Sequence, residues 1–129
     1  MAKHELLDER LTYSIIGAFF DVYNYLGFGF LENIYKNALE RELRARGHRV
    51  AREVYVTVMY KGDVIGRQRI DMIVDERVIV EVKSTQILQP IATRQLQSYL
   101  HATKLRVGLL LHFGPAANYH RCVSSSGAR

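Results

Sequence analysis

The sequence predicts one α/β domain built on a mixed sheet, and three observations carry that prediction. Two N-terminal stretches repeat their apolar residues at helical spacing, and each is closed by a glycine. From Val50 the period shortens to two, the mark of strands with one buried face. A third helical stretch then leads into the unbroken apolar run Leu105–Phe113, the pattern of a strand buried on both faces.

In chain order, Leu11, Ile15, Phe19, Val22 and Leu26 give a helix over 11–26, stopped by Gly27. A second helix covers 30–46, with Leu31, Ile34, Tyr35, Ala38, Leu39 and Leu43 as its apolar stripe and Gly47 past its end. Val54, Val56 and Val58 alternate with Tyr55, Thr57 and Met59, and "YKGDV" supplies a turn. Strands at Ile65–Val74 and Val78–Lys83 follow, joined by the polar link Asp75-Glu76-Arg77. Pro90 suits the start of a helix over 91–103, and a short last strand is expected at Tyr119–Val123. At 129 residues there is room for one hydrophobic core and not for two. The domain is expected to cover 1–123, and the small polar tail 124–129 to be disordered or vector-derived.

Composition narrows the function classes. Lys and Arg number 18 against 13 for Asp and Glu, and the pI is near 9.5, a balance that favours polyanionic partners. Cys122 stands alone, so neither an internal disulfide nor a cysteine-based zinc site can form, and the expected setting is a reducing cytoplasm. No segment approaches the ~18 apolar residues of a membrane span, and the N-terminus lacks the apolar core of a signal peptide. The five histidines have no metal-ligand spacing, and the glycines around Phe28 do not make a nucleotide-binding loop.

The strand Val78–Lys83 is chemically unusual. Ile79, Glu81 and Lys83 share one face, which puts an acid and a base in the middle of a core strand. If Asp75–Arg77 form a three-residue loop, Val74 pairs with Val78 and Asp71 lies opposite Glu81. On that register Arg69, Asp71 and Ile73 share a face. Two carboxylates so placed repel each other unless a cation or a shared proton lies between them. Oxygen ligands of this kind suit Mg²⁺ or Mn²⁺, and an adjacent lysine can hold a water or a phosphate oxygen. These are the parts of metal-assisted phosphodiester hydrolysis. A salt-bridged Asp/Glu/Lys cluster with no ligand fits the bare pattern too. The repulsion predicts that neutralising either carboxylate stabilises the metal-free protein. Glu32, early in the second helix, projects near the edge of its apolar stripe, as Glu42 also does, and its place beside "GFGF" favours it as a site residue. Gln95 and Tyr99, four apart, share a face of the third helix.

Taken in order, G-F-L-E-N-I-Y (Gly29–Tyr35), Asp71, E-V-K (Glu81–Lys83), Q-L-Q-S-Y (Gln95–Tyr99) and "LLLHFG" make a recognisable series. It resembles the small GxxExxY proteins of the PD-(D/E)XK nuclease superfamily, from about Ile15 to Gly114, and its Q-x-x-x-Y element is similar to that of the RecB-like branch. The resemblance implies a restriction-endonuclease-like core, a mixed central sheet flanked by helices in αβββαβ order, here with an extra N-terminal helix. It implies a Mg²⁺- or Mn²⁺-dependent nuclease acting on DNA in preference to RNA. Glu32, Asp71, Glu81 and the Val82 carbonyl would bind metal, with Lys83 serving the attacking water and the phosphate. Gln95 and Tyr99 would support the site. His112 stands where the family often has asparagine and is expected to serve packing or strand ending. The alternative is a non-catalytic nucleic-acid-binding or assembly module on the same fold, with a homodimer possible in either case.

Overall fold

The computed structural model describes residues 2–124, with side chains from Asp8 onward. Helices α1 (Ala2–Leu26) and α2 (Glu32–Ala45) precede strands β1 (Val50–Tyr60), β2 (Asp63–Val74) and β3 (Val78–Lys83). Helix α3 (Ile91–Thr103) and strands β4 (Val107–Phe113) and β5 (Ala117–Val123) complete the order. The strands form one sheet in the order β1-β2-β3-β4-β5, with β3 and β4 parallel and every other pair antiparallel. Helix α3 is the crossover that the parallel pair requires.

Two cores flank the sheet. Ile15, Phe19 and Val22 of α1 and Tyr35, Leu39 and Leu43 of α2 pack on Val78, Val80, Val82, Leu109 and Leu111. On the other face, Ala92, Leu96, Tyr99 and Leu100 of α3 pack on Ile70, Ile79 and Leu110. The alternation expected along β3 is therefore observed. Gly108 of β4 lets α3 approach closely, because a Cβ there would lie 2.6 Å from Leu96 Cδ1.

Several sequence expectations need correction, among them the last strand, which begins at Ala117 rather than Tyr119. Helix α1 begins at Ala2 rather than Leu11; on its first turns Asp8 is buried and accepts hydrogen bonds from Arg77 Nη2 at 2.7 Å and Nε at 3.0 Å. Helix α2 buries Tyr35, Lys36, Leu39 and Leu43, whereas Leu31 is 76% exposed and Ile34 is exposed as well. Leu31 is the cap residue, extended at ψ 149°, and so stands outside the helical stripe. Strand β2 begins at Asp63, two residues before Ile65.

The β2–β3 turn matches the predicted register, with Val74 opposite Val78. Asp75 and Glu76 take left-handed φ values of 52° and 58°, unusual for residues with a Cβ. Asp75 compensates by accepting from Arg49 N at 2.8 Å through Oδ1 and pairing with His48 Nδ1 at 2.7 Å through Oδ2. At the other end of the chain, Ser124 is buried and its N–H donates to Arg106 O at 2.7 Å; the rest of the predicted tail, 125–129, lies outside the described residues.

Candidate functional site

The site forms where the β2–β3 ladder stops. Pairing runs from Val74↔Val78 to Met72↔Val80 and goes no further. One residue on, Asp71 N donates to Glu81 Oε2 at 2.8 Å, and Val82 N donates to Asp71 Oδ2 at 2.9 Å. Two side-chain carboxylates thus replace the next rung of backbone hydrogen bonds. A strand residue projects its N–H and C=O to the same side, so the Val82 carbonyl opens toward the same gap.

Asp71 also breaks the face pattern of its own strand. Ile70 belongs to the core under α3, while Met72 and Val74 belong to the core under α1 and α2. The same break falls on β1, between Val50 and Val54, where Glu53 has φ 54° and no ladder pairing with Asp71. Asp71 therefore does not share a face with Ile73, contrary to strict alternation; Ile73 packs on the α3 side. The break turns Asp71 toward α2 while leaving it in contact with Glu81.

What meets Asp71 on α2 is Lys36, a residue the sequence reading passed over. Lys36 is 6% exposed, and its Nζ lies 2.8 Å from Asp71 Oδ1, 3.6 Å from Glu32 Oε2 and 3.9 Å from Glu53 Oε2. Burial pulls the Lys36 pKa down, but the hydrogen bond and charge of Asp71, with the charges of Glu32 and Glu53, outweigh it and leave the pKa raised. The ammonium is therefore a fixed cation. Its signal was present in the sequence: Lys36 stands four residues after Glu32 and seven before Leu43, on the buried stripe.

Glu81 has no such partner. Burial, then the negative charge of Asp71, push its carboxyl up to about 8 against the opposing pull of the Asp71 N–H, Lys83 and Lys36. Among the described residues no hydrogen bond reaches Glu81 Oε1. Lys83, two residues along the same face and half-buried, forms no ion pair within 4.0 Å among the described residues. Tyr99 of α3 is drawn into the same field: burial first, then Glu81 and Asp71, raise its phenol pKa. Gln95 lies one turn earlier, exposed, with no side-chain hydrogen bond among the described residues.

The α1–α2 loop sets the position of Glu32. Gly27 at φ 73° ends α1 and Gly29 at φ 117° turns the chain back, a conformation only glycine adopts readily. Tyr35 fixes that loop from below. Its hydroxyl donates to Gly27 O and accepts from Phe30 N at 3.2 Å, while its ring stacks on Phe113 with centroids 4.1 Å apart. Ser84 Oγ donates to Phe30 O at 2.7 Å and ties the loop to the end of β3. His112 Nε2 lies 2.8 Å from Thr85 O, holding the segment after β3 against β4. The glycine and tyrosine of G-x-x-E-x-x-Y are thus positioning residues for the acid between them.

Glu32, Asp71, Glu81, Lys83 and Tyr99 accordingly gather at one end of the sheet, with Lys36, Glu53 and Arg69 as unforeseen members; Arg69 Nε lies 2.9 Å from Glu53 Oε1. Among the described residues no three His, Cys, Asp or Glu side chains converge as a metal cage, because Lys36 stands between Glu32 and Asp71. The family model of the PD-(D/E)XK nuclease superfamily matches residues 9–122. The chain belongs to this superfamily.

Asp71 and Glu81-Val82-Lys83 lie within the matched residues, and Ile70 precedes Asp71. Ile70 is fully buried under α3, so that position contributes core packing here. Members of the superfamily are usually nucleases and generally use divalent metals. The fold is similar to the crystal structure of SSO0001, at 21% identity and a TM-score of 0.58, over 71% of this chain and 49% of that one. The chain spans about half the length of that protein, and the likeness speaks for the fold alone. No curated protein matches the chain. Among the described residues no helix is long and apolar enough to cross a membrane.

Proposed function

We propose that the protein is a Mg²⁺- or Mn²⁺-dependent nuclease that hydrolyses phosphodiester bonds of DNA in preference to RNA. The observation that carries this reading is the end of the β2–β3 ladder, where Asp71 and Glu81 meet and, among the described residues, no cation pairs with Glu81 within 4.0 Å. The donor set fits the metal: two carboxylates and one carbonyl, from Asp71, Glu81 and Val82, are what Mg²⁺ takes from a protein while keeping several waters. When bound, such an ion supplies charge for the phosphoryl oxygens and acidifies a water.

The chain's own residues do the rest. Lys36 holds Asp71 Oδ1 at 2.8 Å and leaves Glu81 Oε1 as an open acceptor. Lys83, free of ion pairs within 4.0 Å among the described residues, can accept the negative charge of a phosphate beside Glu81. The Tyr99 hydroxyl, in the field of both carboxylates, is placed to hydrogen-bond a water at that edge. Glu32 acts through Lys36, 3.6 Å away, rather than directly on Asp71. Gln95 lies on the helix face leading outward, toward a nucleic-acid backbone. A cytoplasmic setting and the GxxExxY, RecB-like placement within the superfamily belong to the same proposal, supported by the single free Cys122 and by the pinned Gly29–Tyr35 loop.

Lys36 also supports a second reading, a nucleic-acid-binding or assembly module without turnover, because its ammonium already compensates Asp71. Incubation with DNA and Mn²⁺, beside titration calorimetry of Mn²⁺, separates the two. The nuclease reading expects cleavage lost in Glu81→Ala and Lys83→Ala, with Mn²⁺ heat lost only in the first. Cleavage unchanged in both variants rules out this site, and no Mn²⁺ heat with retained DNA affinity favours the binding module.

A further inference from the structure

The two longest strands extend well past the rest of the sheet. Strands β1 and β2 have 11 and 12 residues, whereas β3 has 6 and pairs with β2 only over Met72–Val74. From Asp71 outward β2 pairs, among the described residues, with β1 alone, so Tyr55–Arg69 is a two-stranded ribbon; Val56 at its base still packs against the α3 core, and the part beyond it, 57–67, stands clear of both cores. Tyr55, Met59, Tyr60, Val64 and Ile65 on it are 54–63% exposed. An isolated hairpin adds little stability of its own, so so long a projection is not explained by the fold.

Its surface chemistry indicates what it meets. Between Val54 and Ile70 the cations Lys61, Arg67 and Arg69 face a single acid, Asp63. The Arg67 guanidinium lies 4.6 Å from the Tyr55 ring centroid, and Lys61 Nζ lies 5.4 Å from that of Tyr60. Neither makes an ion pair within 4.0 Å among the described residues. An arginine held over a ring loses less further entropy on binding and keeps N–H donors for a phosphate. The ribbon is also continuous with the site, since Arg69 pairs with Glu53 at 2.9 Å and Asp71 follows two residues later. A two-stranded ribbon is of a width that the major groove of B-DNA admits.

We infer that the β1–β2 ribbon is a duplex-binding arm that lies in a groove of double-stranded DNA, with Lys61 and Arg67 on phosphates. The inference rests on the nuclease reading of the adjoining site and names its substrate as duplex. The apolar tip offers a rival occupant, a second copy of this chain.

The test is a salt titration of binding to a short fluorescent duplex and to its single strand, in EDTA, for the wild-type protein and the Lys61→Gln/Arg67→Gln pair. Wild type is expected to prefer the duplex. The variant, whose changes are both on exposed side chains, is expected to keep its melting temperature and lose about tenfold in affinity, with a log–log salt slope shallower by about 1.8. Equal affinity for duplex and single strand, or an unchanged slope in the variant, overturns the arm. So does an Ile65→Ser change that halves the sedimenting mass while duplex affinity stays put. Wild-type protein that binds neither probe overturns the nuclease reading itself.

Discussion

Asp71 and Glu81 are held side by side through backbone amides, against the repulsion of their charges. The Asp71 N–H donates to Glu81 Oε2 at 2.8 Å, and Asp71 Oδ2 accepts the Val82 N–H at 2.9 Å. Each carboxylate replaces a ladder partner that the diverging strands no longer supply. The pair can therefore stay at the gap without orphaning the amides around it. The two acids nevertheless differ in kind, since among the described residues Asp71 has an ion-pair partner within 4.0 Å and Glu81 does not.

That difference fixes the pH behaviour of the metal-free protein. Glu81 is pushed up to about 8 from 4.5, so between those values the folded state holds a proton that the unfolded chain has released. The stability contributed by Glu81 is full below the unfolded pKa and is lost as pH rises through about 8, with a slope of up to about 1.4 kcal/mol per unit. Urea melts in EDTA across this window should show that decline in wild type and a flatter profile in Glu81→Gln. Identical slopes in the two proteins contradict the assignment.

Lys36→Met tests the buried ammonium. Removing it strands Asp71 beside Glu81, and a loss of about 3–5 kcal/mol is expected in EDTA. Asp71→Asn should also destabilise, because it leaves Lys36 buried without its partner at 2.8 Å. The sequence-based expectation that neutralising either carboxylate stabilises the protein is therefore kept for Glu81 alone. Thermal melts should further show a larger Mn²⁺-induced rise for Lys36→Met than for wild type; an Asp71→Asn protein that melts higher than wild type defeats this account.

Tyr35→Phe keeps the stack on Phe113 and removes only the hydroxyl that serves Gly27 and Phe30. The expected loss is about 1–2 kcal/mol for the unpaired loop groups. Hydrogen exchange should show faster exchange at Phe30 and its neighbours, while α3 stays protected. Uniformly faster exchange across both cores would mean that Tyr35 serves packing alone.

Much of this architecture could be read from residue order. Helical and twofold periods placed the helices and strands, and the count across Asp75–Arg77 gave the observed Val74↔Val78 register. Because strand side chains alternate, that register brought Asp71 to Glu81 and set Lys83 on Glu81's face. Periodicity could not show where alternation fails. The paired break at Glu53 and Asp71 is imposed by two strands parting together, a relation between residues 18 positions apart in the chain.

The sequence by itself determined the layered α/β fold, the acid pair and its lysine, and the glycine-bounded loop that delivers Glu32. Each follows from local spacing. Only the tertiary structure decided that Lys36 enters the acid cluster, that Asp71 turns to meet it while Glu81 is left protonated, and that the β1–β2 ribbon projects beyond both cores. Those outcomes depend on how deeply each charge is buried and which charges burial brings within a few ångströms. Both are set by the packing of α2 and α3 against the sheet and by where β3 stops.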